Sequence, residues 1–319
     1  MSGNFNKRKE CPACGSVNST TLFSCGFTES PIKEYLTTHY RIDSDSLLLL
    51  EGGRYTLKEC PRCELIYQED VPGDPLSSEI YEAWIEAPLA LDTYLEEPIE
   101  SYLYWLPEIA WALSGFKSPP ASLRVLDVGM GWARWCKLAQ GFGCRVYGLE
   151  ISTSRIEYAE RFGLTTLSWE ELPQHRFDFI NTEQVFEHLP DPREAAATLA
   201  TSLEPGGVLK ISVPVCKKIK QRIARGDWEA PKDSSHSLNP VAPLEHLNCY
   251  SHKAVSDLTQ QAGLVEYTLP WRGIFLAIHG GNFREAVKNL IRPVYRNLWK
   301  PAHYRFFQKP PNHQNLPRA

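Results

Sequence analysis

No stretch of this 319-residue chain approaches the run of apolar residues that a membrane-spanning helix needs. The longest early apolar run, Leu47 to Leu50, has four residues, and no apolar signal region stands near the N-terminus. A soluble, cytoplasmic protein is therefore expected. Residues 64–108 contain no Lys or Arg at all, against twelve Asp or Glu. The third glycine of a G-x-G-x-x-G dinucleotide fingerprint is also missing: counted from Gly129, that position is Arg134. A nicotinamide or flavin dinucleotide is disfavoured on that ground. What is abundant is apolar content, 43% of residues, ample for a sizeable core, and the length suggests two domains.

The most informative segment is Val125 to Glu150, VLDVGMGWARWCKLAQGFGCRVYGLE. Val125, Leu126 and Val128 read as a buried strand. Gly129 and Gly131 permit a tight turn in which bare amides approach a ligand at a helix N-terminus. Glu150 closes the next strand about 20 residues after the turn, where a carboxylate can accept hydrogen bonds from ribose hydroxyls.

With Asp127 two places before the first glycine, the order D-V-G-M-G-W-A resembles motif I of class I S-adenosylmethionine-dependent methyltransferases. One position departs from the family: the third small residue, usually Gly, is Ala133. Further pieces are similar to the small-molecule branch of that superfamily, which includes ubiquinone-pathway and sugar methyltransferases. They are Phe177 to Thr182 (FDFINT), Val185 to Pro192 (VFEHLPDP), Leu203 to Pro214 (LEPGGVLKISVP) and Glu245 to Gly263. The resemblance spans roughly residues 122–280. It implies an S-adenosylmethionine site with Asp127, Gly129 and Gly131 against the methionine part, Glu150 against the ribose and Trp132 among the cofactor-binding residues. Ser168 and Trp169 would flank the adenine, and Glu183 would stand at the end of the fourth strand.

Helices and strands alternate through this region, the signature of a doubly wound α/β sheet. Ser152 is expected to cap a helix that Gly163 ends, followed by a strand at Leu164 to Leu167. Ser251 should cap another helix ending at Gly263, and Val265 to Leu269 and Gly273 to His279 should supply the last two strands. The expectation is a Rossmann-like methyltransferase sheet of seven strands with an antiparallel final hairpin.

Nine cysteines are present. Cys11-Pro-Ala-Cys14 and Cys60-Pro-Arg-Cys63 are two CxxC knuckles, whose four thiolates can surround a tetrahedral zinc ion. The 45 residues between them exceed the 15 to 20 of a compact ribbon, so the module carries an insertion. Cys25 is not expected to join them. Cys136, Cys144, Cys216 and Cys249 lie in apolar segments and read as small buried hydrophobes. An N-terminal CxxC…CxxC module ahead of such a core also resembles enzymes acting on sugar nucleotides, in which the metal clip is structural.

In the acidic stretch, Tyr81, Trp84, Ile85 and Leu89, then Tyr94, Leu95, Ile99, Tyr102 and Leu106, recur at helical spacing. They predict helices that pack on the core or roof a substrate pocket. Residues 283–319 reverse the charge, with eight Lys or Arg against Glu285 alone. The apolar residues from Phe283 to Leu298 predict a basic amphipathic helix, docking on the acidic stretch in preference to a membrane surface. The expected domains are thus a zinc-ribbon-like module at 1–75, an acidic helical linker at 76–120, the methyltransferase core at 121–282 and the tail at 283–319.

A sulfonium methyl needs an aligned acceptor and, where required, a base. His188 and His246 are the candidate bases, with Tyr250 nearby; a structural hydrogen-bonding role is the alternative for each. The expected function is methyl transfer to a small-molecule acceptor, sugar-like, quinone-like or another secondary metabolite. Two other classes stay open. A nucleic-acid or protein methyltransferase would use the zinc module and basic tail for binding. Against nucleic acid, neither D/N-P-P-Y/F nor a Pro-Cys pair follows the fourth strand, where Asn181-Thr182-Glu183-Gln184 stands. The other class is a noncatalytic binding module that kept the fold.

Overall fold

The computed structural model describes residues 4–40, 42–85, 91, 94–214, 216, 218–232, 234–270, 287, 291 and 304–311. The chain forms two compact units, each assembled from separate stretches of sequence. The first takes residues 1–90, 184–197 and 213–262; the second takes 91–183, 198–212 and 263–319. Two stretches of the range expected for the core, 184–197 and 213–262, thus lie in the first unit.

The second unit is built on a seven-stranded sheet. Its strands in chain order are β1 (Arg124–Val128), β2 (Arg145–Leu149), β3 (Thr165–Leu167), β4 (Phe177–Glu183), β5 (Leu203–Ser212), β6 (Val265–Tyr267) and β7 (Tyr304–Gln308). They lie in the order β6-β7-β5-β4-β1-β2-β3. Strands β5, β4, β1, β2 and β3 pair in parallel, and β7 runs antiparallel to both β5 and β6. The central strands are apolar on both faces because both are covered: Val125, Leu126, Phe177, Phe179 and Ile180 are buried. Trp135, on the helix Arg134–Gly141, stacks on Phe179 with ring centroids 5.9 Å apart. The chain reverses its direction of winding between β1 and β4, and in such sheets ligands bind at the carboxyl ends of the strands flanking that point.

Ser152 precedes the helix Thr153–Glu160, but its hydroxyl meets that of Ser154 and makes no cap to the backbone. Ser251 does cap, accepting from the Ala254 N–H at 3.0 Å at the start of the helix His252–Gln261. The strand expected at Gly273 to His279 lies outside the described residues, as does most of the basic helix expected from Phe283 to Leu298. The strand that completes the sheet comes from the tail. Tyr304, Phe306 and Phe307 are buried between β5 and β6. Reading the tail by its charge hid this strand, because Arg305 and Lys309 flank the buried rings. Lys309 serves the fold by donating to the carbonyl of Leu203 at 2.7 Å.

In the first unit, Thr20–Gly26, Arg54–Glu59, Ile66–Gln68 and Asn248–Cys249 form a four-stranded sheet. Phe5–Lys7 pairs with Asp70–Pro72 beside it. Phe27, Tyr55 and Trp228 fill its core, with Tyr55 and Trp228 edge to face at 5.5 Å. The acidic stretch begins with the strands Ile66–Gln68 and Asp70–Pro72 and continues in helical form as Asp74–Glu79, a π-helical turn at Ile80–Ile85, and, in the second unit, Ile99–Leu113. One cysteine expectation is overturned. Cys216 and Cys249 are not isolated apolar thiols but form a disulfide, their Cα atoms 6.5 Å apart. A separation of 33 residues with no recognisable spacing motif gives no sign of that pairing. Among the described residues, no helix is long and apolar enough to cross a membrane.

Arg8 pins this unit together. Its guanidinium donates to Asn248 Oδ1 at 3.0 Å and to the carbonyls of Gln68, Leu247 and Leu189 at 3.1–3.3 Å. Burial lowers its pKa to about 10, still well above neutrality. Arg8→Met keeps much of the stem but strands those acceptors. It should cost about 3 kcal/mol or more in urea denaturation, and a cost below about 1 kcal/mol would show that water replaces the guanidinium freely.

Candidate functional site

Around the switch point of the second unit, motif I takes the shape its glycines allow. Gly129, Gly131 and Ala133 all have positive φ, at 66°, 52° and 60°. Ala133 therefore adopts the left-handed conformation that the family's usual glycine would reach without strain. A Cβ on Gly131 would meet nothing within 4 Å, so this glycine is needed for its backbone conformation and not for want of space. Glu150 ties the end of β2 to the turn. Its Oε2 accepts the Gly131 N–H at 2.9 Å, and its Oε1 accepts the N–H groups of Ile151 and Ser152 at 2.8 and 3.1 Å. The Arg155 guanidinium stands 3.6 Å from the same Oε2.

Asp127 is buried beside this turn and accepts the Asn181 amide at 2.7 Å. Burial pushes its carboxyl up to about 7, against the opposing pull of Asn181 and the Lys210 charge. Two polar atoms here are buried without a hydrogen-bond partner, Asn181 Oδ1 and Trp132 Nε1. A nucleoside carrying an amino-acid arm has the hydroxyls and ammonium that such atoms can satisfy, so the residues fit S-adenosylmethionine. Trp132 packs edge to face on Tyr158 at 5.4 Å. Beyond β3, Ser168 is exposed and its N–H is held by Glu171 at 2.8 Å, and Trp169 is half-buried. Glu183 ends β4, where Lys210 Nζ at 2.6 Å and Ser212 Oγ at 2.9 Å donate to its two oxygens. Asn181 and Lys210 escaped the sequence reading. Their signal was a polar residue inside an otherwise apolar buried strand, FDFINT and GVLKIS.

In the first unit, His188 and His246 come together with ring centroids 4.9 Å apart. His188 Nδ1 lies 2.9 Å from the Glu245 carbonyl, and His246 Nδ1 hydrogen-bonds the Asn239 carbonyl. A carbonyl only accepts, so each Nδ1 carries the proton and each Nε2 keeps its lone pair. Burial, reinforced by His246, lowers His188 to about 4, and burial also lowers His246, so both rings are neutral at physiological pH. Tyr250 is not part of this pair: it is buried, with its hydroxyl 3.4 Å from the Phe186 carbonyl. Tyr81 is the residue the sequence reading missed as a neighbour, its hydroxyl 3.4 Å from His188 Nδ1. The helical periodicity set it among residues that pack on the core or roof a pocket, with no sign that His188 would be its neighbour.

Elsewhere in that unit Cys11, Cys14, Cys60 and Cys63 are buried, with all four sulfurs within 4.8 Å of one another. Cys11 faces Cys63 and Cys14 faces Cys60, each pair at 3.5 Å. Four sulfurs at about 2.3 Å around zinc would stand about 3.8 Å apart, so the set fits a tetrahedral four-thiolate site. The two knuckles are alike. In each, the residue after the second cysteine, Gly15 or Glu64, has positive φ and returns its N–H to the first cysteine's carbonyl at 2.9 Å.

Strand order, glycine turn and acidic strand ends together define a class I S-adenosylmethionine-dependent methyltransferase core. The family described as methyltransferase domain matches residues 99–268, just over half of the chain, and the chain belongs to that family. Among curated relatives, the ubiquinone biosynthesis O-methyltransferase of Xanthomonas axonopodis pv. citri is 29% identical over 171 residues, 48% of this chain and 70% of that protein. The same enzyme of Burkholderia multivorans is 29% identical over 98 residues, 27% of this chain and 42% of that protein. The chain spans less than half the length of the first of these relatives it matches. Of solved structures, the plantazolicin methyltransferase BpumL in complex with SAH is 13% identical, with 73% of this chain and 93% of that chain covered. Its TM-score of 0.45 makes it too distant to bear on fold or function.

Proposed function

We propose that the chain transfers the methyl group of S-adenosylmethionine to a small-molecule acceptor. The observation that carries this reading is the buried pair Asp127 and Asn181 together with the positive-φ turn Gly129 to Ala133 and Glu150, gathered at the switch point. Asp127, Asn181 and Trp132 would hold the amino-acid arm, Glu150 the ribose, and Ser168 and Trp169 the adenine. The bound donor would supply an electrophilic methyl, so the residues' work is alignment and proton removal. His188 or His246 would take the acceptor's proton on Nε2. A neutral ring with its Nδ1 already anchored is in the state a base requires. The relatives named ubiquinone biosynthesis O-methyltransferase support a small acceptor of quinone-like type.

Incubating the protein and isotopically labelled S-adenosylmethionine with metabolite extract should yield a labelled small molecule by mass spectrometry. Label appearing only in nucleic acid or protein would refute the reading.

The cluster of four cysteines we assign to structural zinc. Four thiolate ligands leave no open position for water, so the ion would order the knuckles and take no part in the reaction.

The raised Asp127 pKa makes a further prediction. A cationic ligand favours the carboxylate, so donor affinity should climb as pH rises from about 6 to about 8, with proton release on binding near pH 7. In the ligand-free protein the sign reverses. A carboxyl with a raised folded pKa stabilises the fold in its protonated form, and that contribution fades as pH rises through about 7. Calorimetry in two buffers of different ionisation enthalpy measures the released proton, and Asp127→Asn should abolish it. A pH-independent affinity would show that Asp127 does not face the donor's charge.

A further inference from the structure

The sheet register aligns a polar row across the apolar core of the second unit. Asp127 on β1 pairs with Asn181 on β4, which pairs with Lys210 on β5. Two residues on, toward the carboxyl ends, Glu183 pairs with Ser212. Strand side chains alternate between faces, so Asn181 and Glu183 share a face of β4, and Lys210 and Ser212 share a face of β5. Lys210 has no solvent exposure. Its ammonium meets Glu108, on the helix Ile99–Leu113, and Glu183 at 2.6 Å, and it lies 5.1 and 5.9 Å from the rings of Tyr304 and Trp105. Ser212 donates to the other Glu183 oxygen at 2.9 Å.

A lysine inside an apolar strand costs several kcal/mol to desolvate, and hydrophobic packing would do the structural work as well. Placed here, it gives Glu183 what a carboxylate at a ligand-binding strand end needs, a fixed orientation. We infer that Lys210 is a positioning residue of the donor site: with Ser212 it holds the Glu183 carboxylate in a fixed orientation at the carboxyl end of β4, toward a cationic group of the ligand. This rests on the S-adenosylmethionine reading above. Lys210 is the sole cation among the described charged groups of this row, Glu108, Asp127, Glu183 and Lys210, with the Tyr304 phenol beside them. Its loss leaves three neighbouring carboxylates and removes the charge that pulls the Asp127 carboxyl down, so Asp127 should keep its proton to higher pH.

The test is S-adenosylmethionine binding by calorimetry at pH 6.5 and 8.5 in the full chain and three variants. Lys210→Met should weaken binding about 10-fold at pH 6.5, one pKa unit's worth of protonation, and recover most of it at pH 8.5. Glu108→Gln/Lys210→Met, which removes one carboxylate together with the ammonium, should show the same pH-dependent loss to a smaller degree and guards against misfolding of the single variant. Ser212→Ala, which removes only a neutral hydrogen bond, should weaken binding about threefold. Wild-type affinity in the lysine variants, or a loss equal at both pH values, would reduce Lys210 to a packing role and overturn the inference alone. No binding by the wild-type chain would overturn the donor reading and this inference with it.

Discussion

Replacing the base by alanine is expected to lower kcat about 100-fold to 10,000-fold while leaving S-adenosylmethionine affinity unchanged. His188→Ala and His246→Ala measured side by side identify which imidazole it is. The ring that receives the proton should show the full loss, and its neighbour a smaller one through lost packing across the 4.9 Å contact. The pH profile separates base from donor site. His188 protonates only near pH 4, so as base it would leave kcat flat down to about pH 5. Donor KM should rise already below about pH 7 as Asp127 protonates. Full turnover in both alanine variants would remove the histidine pair from the mechanism.

Loss of the metal should have an effect as large on the first unit. Zinc held by four thiolates contributes on the order of 10 kcal/mol or more to folding of small metal-bound modules. Cys60→Ser should therefore lower the thermal midpoint sharply and release the ion. Elemental analysis should find one zinc per wild-type chain, and a strong chelator should reproduce the variant's melting behaviour. The packing around the knuckles extends the damage. Ser251 donates to the Cys63 carbonyl at 2.9 Å and Gln261 to the Ala13 carbonyl at 2.9 Å, so the helix between them should loosen as well. A native protein with no bound metal and four thiols that react freely would contradict the assignment.

The central sheet was legible because its strands carry periodic apolar runs and its turn needs glycines: Val125 to Val128, Gly129, Gly131 and Phe177 to Thr182 stand where the sequence placed them. The knuckles were legible because CxxC spacing is a local geometric requirement. What escaped was nonlocal. Tyr304 to Gln308 joins the sheet some 37 residues after β6 and is masked by its basic surroundings. The Cys216–Cys249 bridge joins segments with no shared motif. Lys210 and Asn181 are polar residues within buried strands, and only the register sets Asn181 beside Asp127 and Lys210 beside Asn181. Tyr81 carried the helical spacing of a packing residue and still reached His188.

In the proposed function the turn from Asp127 to Ala133, with Glu150, is the donor cradle. Titrating the full chain with S-adenosylmethionine in a calorimeter tests it most directly. The wild-type protein should bind one molecule per chain, and Gly129→Val, which puts a β-branched side chain where φ is 66°, should abolish the signal while the protein stays folded. No binding by the wild type, or undiminished binding by the variant, would contradict it.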